Sequence, residues 1–192
     1  MRKINRPACP NPTALAADYK NPDNKTALAK ASFWKCMYCE EKILSSQFGD
    51  VEHIKPKSRF PSLKFEWNNL GFVCSRCNNA KSDKFDDSLP YLNPYDEDPS
   101  RHILFAGPMI FAKQASERGK ITILDLKLDR VELFEKRLER LNQIDRTIGQ
   151  WKGYSSNTSL KINALEELKN EYNDDKEHSL CVEYLLKSHE II

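Results

Sequence analysis

Several common features are absent from this 192-residue sequence. It has no apolar run approaching 18 residues, so we expect no membrane-spanning helix. The opening residues, MRKINRPACPNPT, carry charge but no apolar segment, so we expect no secretory signal peptide and a cytoplasmic protein. No GxxxxGK(S/T) phosphate-binding loop occurs, so any control by ATP would have to come from another protein.

Histidine is also scarce, with 4 copies, while hydrophobic residues make up 40% and charged residues 30% of the chain. This composition is ordinary for a globular protein with a packed core. One histidine, His53, lies in the unusual segment GDVEHIKPKSRF, between a glutamate and a run of lysines and prolines.

The net formal charge is only +2, but the basic residues are unevenly distributed. Seven of them, against two acidic residues, fall between positions 54 and 85: Lys55, Lys57, Arg59, Lys64, Arg76, Lys81 and Lys84. The acidic segment DDSLPYLNPYDED follows directly. A local basic zone favours a polyanionic partner, although a solvated surface would have the same composition.

Four of the 6 cysteines form two CxxC pairs, Cys36 with Cys39 and Cys74 with Cys77. Paired CxxC motifs in a cytoplasmic chain indicate metal rather than disulfides, and two such pairs complete a tetrahedral zinc site. Four thiolates leave no open coordination position, so the Zn²⁺ would be structural. The alternatives are a redox dithiol, which is usually single and near a βαβ pattern, or core cysteines.

The segment between the pairs predicts a small α+β unit. We expect a strand that ends near Val51, a turn or second strand through Ile54, and a helix over residues 78–84. Pro56 and Pro61 favour an extended or looped path after the strand.

The order CxxC, EHIKPKS, WNNL, CxxCN and then a lysine, over residues 36–84, resembles the HNH (ββα-metal) endonucleases. The resemblance implies a zinc-pinned ββα-metal core that hydrolyses DNA with a catalytic Mg²⁺ or Mn²⁺. It implies that His53 is the general base, that Glu52 and Asn78 are metal ligands, and that Asn69 holds the loop behind the histidine. From the residues alone, Glu52 could instead pair with a lysine, and Asn78 could instead cap the helix.

The resemblance also implies a DNA-contacting surface drawn from the basic zone: Lys55, Lys57, Arg59, Arg76, Lys81 and Lys84. One geometric difficulty arises, because neighbours such as Glu52 and His53 point to opposite faces of a strand. A bend would be needed for both to reach one site.

The wider chain resembles the HNH subunits of Septu and retron-linked anti-phage systems, through RPACP, LNPYDED and GKITILDLKLDRVEL. This resemblance implies phage DNA as substrate and a hetero-oligomer with an ABC/SMC-type ATPase subunit. A non-catalytic zinc-knuckle module that binds nucleic acid or a partner is the alternative function. The segment LNPYDEDP could donate carboxylates to the metal, or form a structured turn or partner contact.

We divide the chain into an extended N-terminal arm (1–25), the nuclease core (26–100) and a mostly helical C-terminal region (101–192). A helix is expected over 26–35, and short strands over 102–112, with a Gly107-Pro108 turn, and over 120–126. Helices are expected from 129, after 159 and over 181–187, because apolar residues recur there every three or four positions. The apolar faces of these helices would pack in the core or form a docking surface for a partner.

Overall fold

The computed structural model describes residues 1–43, 49–155 and 159–192. Its helices are α1 (Pro12–Ala17), α2 (Pro22–Ala31), α3 (Ser75–Lys81), α4 (Glu117–Asp125), α5 (Val131–Gly153), α6 (Ser159–Asn170) and α7 (Ser179–Ser188). The strands are β1 (Asp50–His53), β2 (Leu70–Val73), β3 (Ile103–Ala106) and β4 (Met109–Ala112). None of the described helices has the length and apolar character needed to cross a bilayer. The predicted α+β class, with short antiparallel strands and many helices, is confirmed.

The first sheet pairs β1 with β2 in antiparallel register, with Glu52 opposite Gly71 and His53 opposite Leu70. The strand therefore ends at His53 and not near Val51, and of the two alternatives for Ile54 the turn is correct and the second strand is wrong. The chain bends after His53, loops through the prolines and returns at Leu70, 17 positions later. Strand pairing over such a distance depends on tertiary contacts and not on local pattern.

Helix α3 begins at Ser75, three residues before the predicted start. Its N-cap is Cys74, whose sulfur accepts a hydrogen bond from the backbone N–H of Cys77 at 3.5 Å. The second cysteine knuckle is thus the first turn of the helix. Asn78 lies inside α3, so the alternative that it caps the helix is wrong.

The N-terminal arm was predicted to be extended, but it contains α1 and the start of α2. Each helix begins at an Asn-Pro pair, in which the asparagine is the N-cap and the proline is the first helical residue. Proline is favoured there because the first helical N–H has no intrahelical acceptor. The same residues that suggested an irregular path therefore start two helices, and α2 begins four residues before the expected position 26.

The arm packs against the turn that carries Asn69. The guanidinium of Arg6 donates hydrogen bonds to the carbonyls of Trp67 and Leu70, at 2.8 and 2.9 Å. It also lies 3.8 Å from the ring centroid of Tyr95. The arm and the acidic segment around Tyr95 therefore support the turn that precedes β2.

The C-terminal region follows the sequence prediction except at one element. The hairpin β3–β4 turns at Gly107, which has φ 55°, and α5, α6 and α7 lie where the apolar periodicity places them. The predicted strand over 120–126 was wrong, because these residues belong to α4 and its C-cap. Ser116 caps α4 by accepting from Gly119 N–H at 3.0 Å. Thr122, Ile123 and Leu126 are buried, a helical rather than an alternating spacing.

Candidate active site and cysteine cluster

The four cysteines of the two knuckles meet as one cluster. Their sulfur atoms all lie within 4.8 Å of one another, and the cysteines are buried and unpaired by disulfides. The Cys39 and Cys74 sulfurs are 3.8 Å apart. A tetrahedral zinc with Zn–S bonds of about 2.3 Å would separate its sulfurs by about 3.8 Å. The cluster can therefore hold a metal ion such as Zn²⁺, and it joins the loop after α2 to the start of α3.

Arg130, just before α5, supports the cluster from the C-terminal region. Its guanidinium donates to the Cys77 sulfur at 3.7 Å and to the Lys127 carbonyl at 3.1 Å. Burial alone would lower the pKa of Arg130, but the Cys77 and Cys39 sulfurs outweigh it and raise that pKa. A permanent cation beside thiolate sulfurs offsets their negative charge.

A cavity of about 340 Å³ lies along β1. All four residues of β1 line it, together with Asn78 and Asp83 from the α3 end and with Tyr19, Lys20 and Lys57. Within the described chain, β1 pairs only with β2. The neighbours Glu52 and His53 both line the cavity, although they alternate along the strand. No bulge is needed, since their pairing with Gly71 and Leu70 is regular.

The imidazole of His53 is hydrogen-bonded through one ring nitrogen. Its Nε2 lies 2.9 Å from the Lys64 carbonyl oxygen. A carbonyl can only accept, so Nε2 carries a proton, and in the neutral imidazole the lone pair lies on Nδ1. Burial lowers the pKa of His53 and the nearby lysines lower it further, against the opposing effect of the Lys64 hydrogen bond. A neutral histidine with a free Nδ1 can take a proton from water.

Glu52 forms an ion pair with Lys81 across the gap between β1 and α3. The Lys81 Nζ lies 2.5 Å from Glu52 Oε1 and donates to the His53 carbonyl at 2.9 Å. Burial raises the pKa of Glu52, and the attraction of Lys81 opposes that rise. Lys81 is 0% exposed, so this structure gives it no surface with which to contact DNA. It instead holds the strand and the Glu52 carboxylate, so the lysine pairing considered for Glu52 is present.

Asp50 is a cavity residue that the sequence analysis did not single out. Its Oδ2 accepts a hydrogen bond from the Asn78 side-chain nitrogen at 3.0 Å. The amide oxygen of Asn78 is then available to a cation. The sequence pattern that could have indicated Asp50 is the alternation of side chains along a strand, which places Asp50 and Glu52 on one face of β1.

The carboxylates of Asp50 and Glu52 and the amide of Asn78 are hard oxygen donors, the kind that Mg²⁺ and Mn²⁺ prefer. Among the described residues, only the cysteine quartet brings three or more Cys, His, Asp or Glu ligand atoms together. An ion in the cavity would thus rely on few protein ligands, which fits Mg²⁺ because it keeps several waters.

Asn69, just before β2, ties together two points of the loop that follows His53. Its Oδ1 accepts from Lys55 N–H at 2.8 Å, and its Nδ2 donates to the carbonyls of Lys55 and Leu63, at 3.0 and 3.1 Å. The loop also carries the Lys64 carbonyl that binds His53 Nε2. Asn69 therefore acts on the shape of the site and does not line the cavity.

The other basic residues predicted to contact DNA lie in different places. Four are exposed: Lys57, Arg59, Arg76 and Lys84. Lys55 is half-buried and pairs with Asp87 at 2.7 Å. Arg76 pairs with Glu132 at 2.9 Å and lies on the side of the cysteine cluster. Of the six predicted residues, only Lys57 lines the cavity.

The acidic segment LNPYDEDP does not line the cavity. Glu97 pairs with Arg118 and His102, at 2.5 and 3.1 Å, and Asp96 accepts from the Asn93 amide at 2.7 Å. These contacts make the segment a structured turn on the path from α3 to α4.

Residues 36–84 match the family model described as HNH endonuclease. Over 150 residues the chain is 32% identical to Septu protein PtuB of Bacillus thuringiensis, and the match covers 77% of this chain and 58% of the relative. A second Septu protein PtuB, from Bacillus mycoides strain KBAB4, is 29% identical over an alignment of 158 residues. That match covers 66% of this chain and 54% of the relative. The chain thus spans a little over half the length of these relatives. The ββα arrangement, the cysteine cluster and the family match together identify residues 36–84 as an HNH endonuclease domain, in a chain similar to PtuB proteins beyond that domain.

Proposed function

We propose that this chain is a metal-dependent HNH endonuclease that hydrolyses phosphodiester bonds in DNA. The observation that carries the proposal is the cavity along β1. There, neutral His53, with its Nδ1 free, lies beside the oxygen donors of Asp50, Glu52 and Asn78. A module that only binds DNA has no use for this combination.

In the proposed reaction, His53 Nδ1 takes a proton from a water molecule whose oxygen attacks the phosphorus. The new P–O bond forms as the P–O3′ bond breaks, and the strand end leaves as a 3′ oxygen that gains a proton from solvent. A Mg²⁺ or Mn²⁺ ion held by Glu52 and Asn78, with Asp50 beside them, would supply Lewis-acid stabilisation of the phosphate and leaving oxygens. Asn69 and the Lys64 carbonyl fix the imidazole, so little reorganisation is needed at the reaction step.

The cysteine cluster has a structural part in this proposal. We assign it Zn²⁺ with four thiolate ligands and no open position for a substrate or water. The bound ion would pin the start of α3, and hence Asn78 and Lys81, to the loop after α2. Its free energy of binding would be part of the free energy of folding.

DNA would approach along Lys57, which lines the cavity, and along the exposed Arg59 and Lys84, which directly follow the cavity residues Ser58 and Asp83. Together with Lys20 they would neutralise backbone phosphates, and the affinity would fall as salt is raised.

We further propose that the chain is the effector nuclease of an anti-phage complex, with phage DNA as its substrate. Both relatives compared above are named Septu proteins. The resemblance implies an ABC/SMC-type ATPase subunit, like PtuA, that controls cleavage. An apolar surface supports a partner: Met109, Phe111 and Leu124 are 48%, 44% and 55% exposed around a second cavity of about 380 Å³. A cytoplasmic location remains our expectation, because metal-binding thiols need a reducing compartment.

The test is cleavage of supercoiled plasmid DNA with Mg²⁺ or Mn²⁺, with and without the ATPase subunit. We expect the wild type to cut and His53→Ala to lose activity. His189→Ala, on a histidine at the end of α7, is the matched control and should cut normally. Equal cutting by wild type and His53→Ala, or no cutting by the wild-type complex, would refute the nuclease assignment. Salt-sensitive DNA binding without any cutting would favour the zinc-knuckle binding module.

A further inference from the structure

A residue from outside the matched HNH segment reaches the catalytic histidine. Tyr19, in the turn between α1 and α2, packs its ring edge-on against the imidazole of His53. The ring centroids are 4.6 Å apart, with 62° between the planes. Tyr19 also lines the cavity along β1. The N-terminal arm is therefore part of the wall of the site.

The same side chain holds a cation at the cavity. The Lys57 Nζ donates a hydrogen bond to the Tyr19 hydroxyl at 2.7 Å and lies 4.6 Å from its ring centroid. Lys57 is exposed and lines the cavity, as does Lys20. Tyr19 thus contacts both the proposed base and the one predicted DNA-binding lysine in the cavity.

The turn that carries Tyr19 is held by side-chain hydrogen bonds to the backbone. The Asp18 carboxylate accepts from Lys20 N–H at 2.8 Å. Asn24 is fully buried in α2, and its amide forms two hydrogen bonds with the backbone of Asn11, at 2.9 and 3.0 Å. These bonds join the start of α1 to α2. Tyr19 is therefore presented by a fixed turn and not by a free terminal segment.

We propose that Tyr19 is a positioning residue of the nuclease site, with two separable contributions. Its ring holds the His53 imidazole against the Lys64 carbonyl, which keeps Nδ1 directed at the attacking water. Its hydroxyl holds the Lys57 ammonium where a phosphate oxygen of the DNA binds. This inference rests on the proposed nuclease function.

The two contributions predict different kinetic effects. Loss of the hydroxyl alone leaves the ring on His53, so the chemical step continues while DNA binding weakens. Loss of the ring frees the imidazole to rotate, and such misplacement of a catalytic group costs about 100-fold in rate. A merely structural tyrosine would give no such division between kcat and KM.

The experiment measures kcat and KM for cleavage of a duplex oligonucleotide with Mn²⁺. It uses the full chain, with the ATPase subunit when cleavage depends on it. For Tyr19→Phe we expect KM to rise roughly 2- to 10-fold, the range of one net hydrogen bond, with kcat unchanged. For Tyr19→Leu we expect kcat to fall by about 100-fold. Tyr184→Phe, which removes a hydroxyl that donates to the Ile103 carbonyl, is the matched control and should change neither constant.

Lys57→Ala provides a second measurement that does not depend on the Leu variant folding. If the hydroxyl acts through Lys57, the double variant Tyr19→Phe/Lys57→Ala will have the KM of Lys57→Ala alone. Additive effects on KM, an unchanged KM in Tyr19→Phe, or a folded Tyr19→Leu with full kcat would overturn the inference. In each of these cases an inactive His53→Ala shows that the nuclease assignment itself survives. An active His53→Ala would overturn both.

Discussion

The buried pair of Glu52 and Lys81 offers the most direct test of how the fold supports the site. We consider Lys81→Met, which keeps an unbranched apolar side chain but removes the ammonium group and its charge. In the wild type, Nζ contacts Glu52 Oε1 at 2.5 Å and the His53 carbonyl at 2.9 Å, and neither side chain is more than 6% exposed. The substitution therefore leaves a carboxylate and a carbonyl in the interior without their shared donor.

Removing one partner of a buried ion pair costs about 3–5 kcal/mol, because the remaining charge stays desolvated. Such a loss is a large part of the roughly 5–15 kcal/mol by which domains are stable. The loss should depend on pH in a defined direction. Burial already raises the pKa of Glu52, and the variant lacks the opposing attraction of Lys81, so its folded-state pKa is higher still. A raised folded-state pKa contributes stability at low pH that is lost as pH rises. The deficit should thus be largest at neutral pH and shrink as pH falls towards the ordinary glutamate value of about 4.3.

The assay is urea unfolding of zinc-loaded protein, followed by circular dichroism, at pH 7.5 and pH 5.5. Lys84→Met, on an exposed lysine three positions along, is the matched control and should stay within about 0.5 kcal/mol of the wild type. The double variant Lys81→Met/Glu52→Gln should recover much of the lost stability, since the unpaired charge is gone. A loss no larger than that of Lys84→Met, or one that neither low pH nor Glu52→Gln relieves, would show that this pair does not hold the strand to the helix.

Three further predictions concern the metal sites and the base. Cys36→Ser should lose bound zinc, measured by elemental analysis, together with cooperative unfolding; a variant that stays folded without zinc would contradict the four-cysteine site. Asp50→Asn should raise the Mn²⁺ concentration for half-maximal cleavage roughly 10- to 100-fold, whereas an unchanged requirement would remove Asp50 from the ion's surroundings. Because burial and neighbouring lysines lower the pKa of His53, kcat/KM should fall on acidification with a midpoint below the ordinary histidine value of about 6.5. A midpoint at or above that value would argue against His53 as the titrating base.

Local sequence pattern was sufficient to predict those structural features that depend on the spacing of residues along the chain. The doubled CxxC spacing predicts the cysteine cluster, because two knuckles each present two sulfurs on one side. Apolar periodicity likewise predicts α5, α6 and α7, and Gly107 with Pro108 predicts the β3–β4 turn. The same reasoning was wrong for residues 120–126, where short apolar runs suit a strand and a helix equally well and the Ser116 cap decides between them.

The candidate active site depends on both the sequence pattern and the tertiary structure. The sequence alone determined the order and chemical types of the site residues, from the cysteine pairs to His53 and Asn78, because these are properties of spacing. Only the tertiary structure decided which of them meet. It buried Lys81 against Glu52, placed Asp50 beside Asn78 and brought Tyr19 from the N-terminal arm onto His53. These contacts join segments far apart in the chain, and their formation depends on packing and burial, which local sequence does not encode.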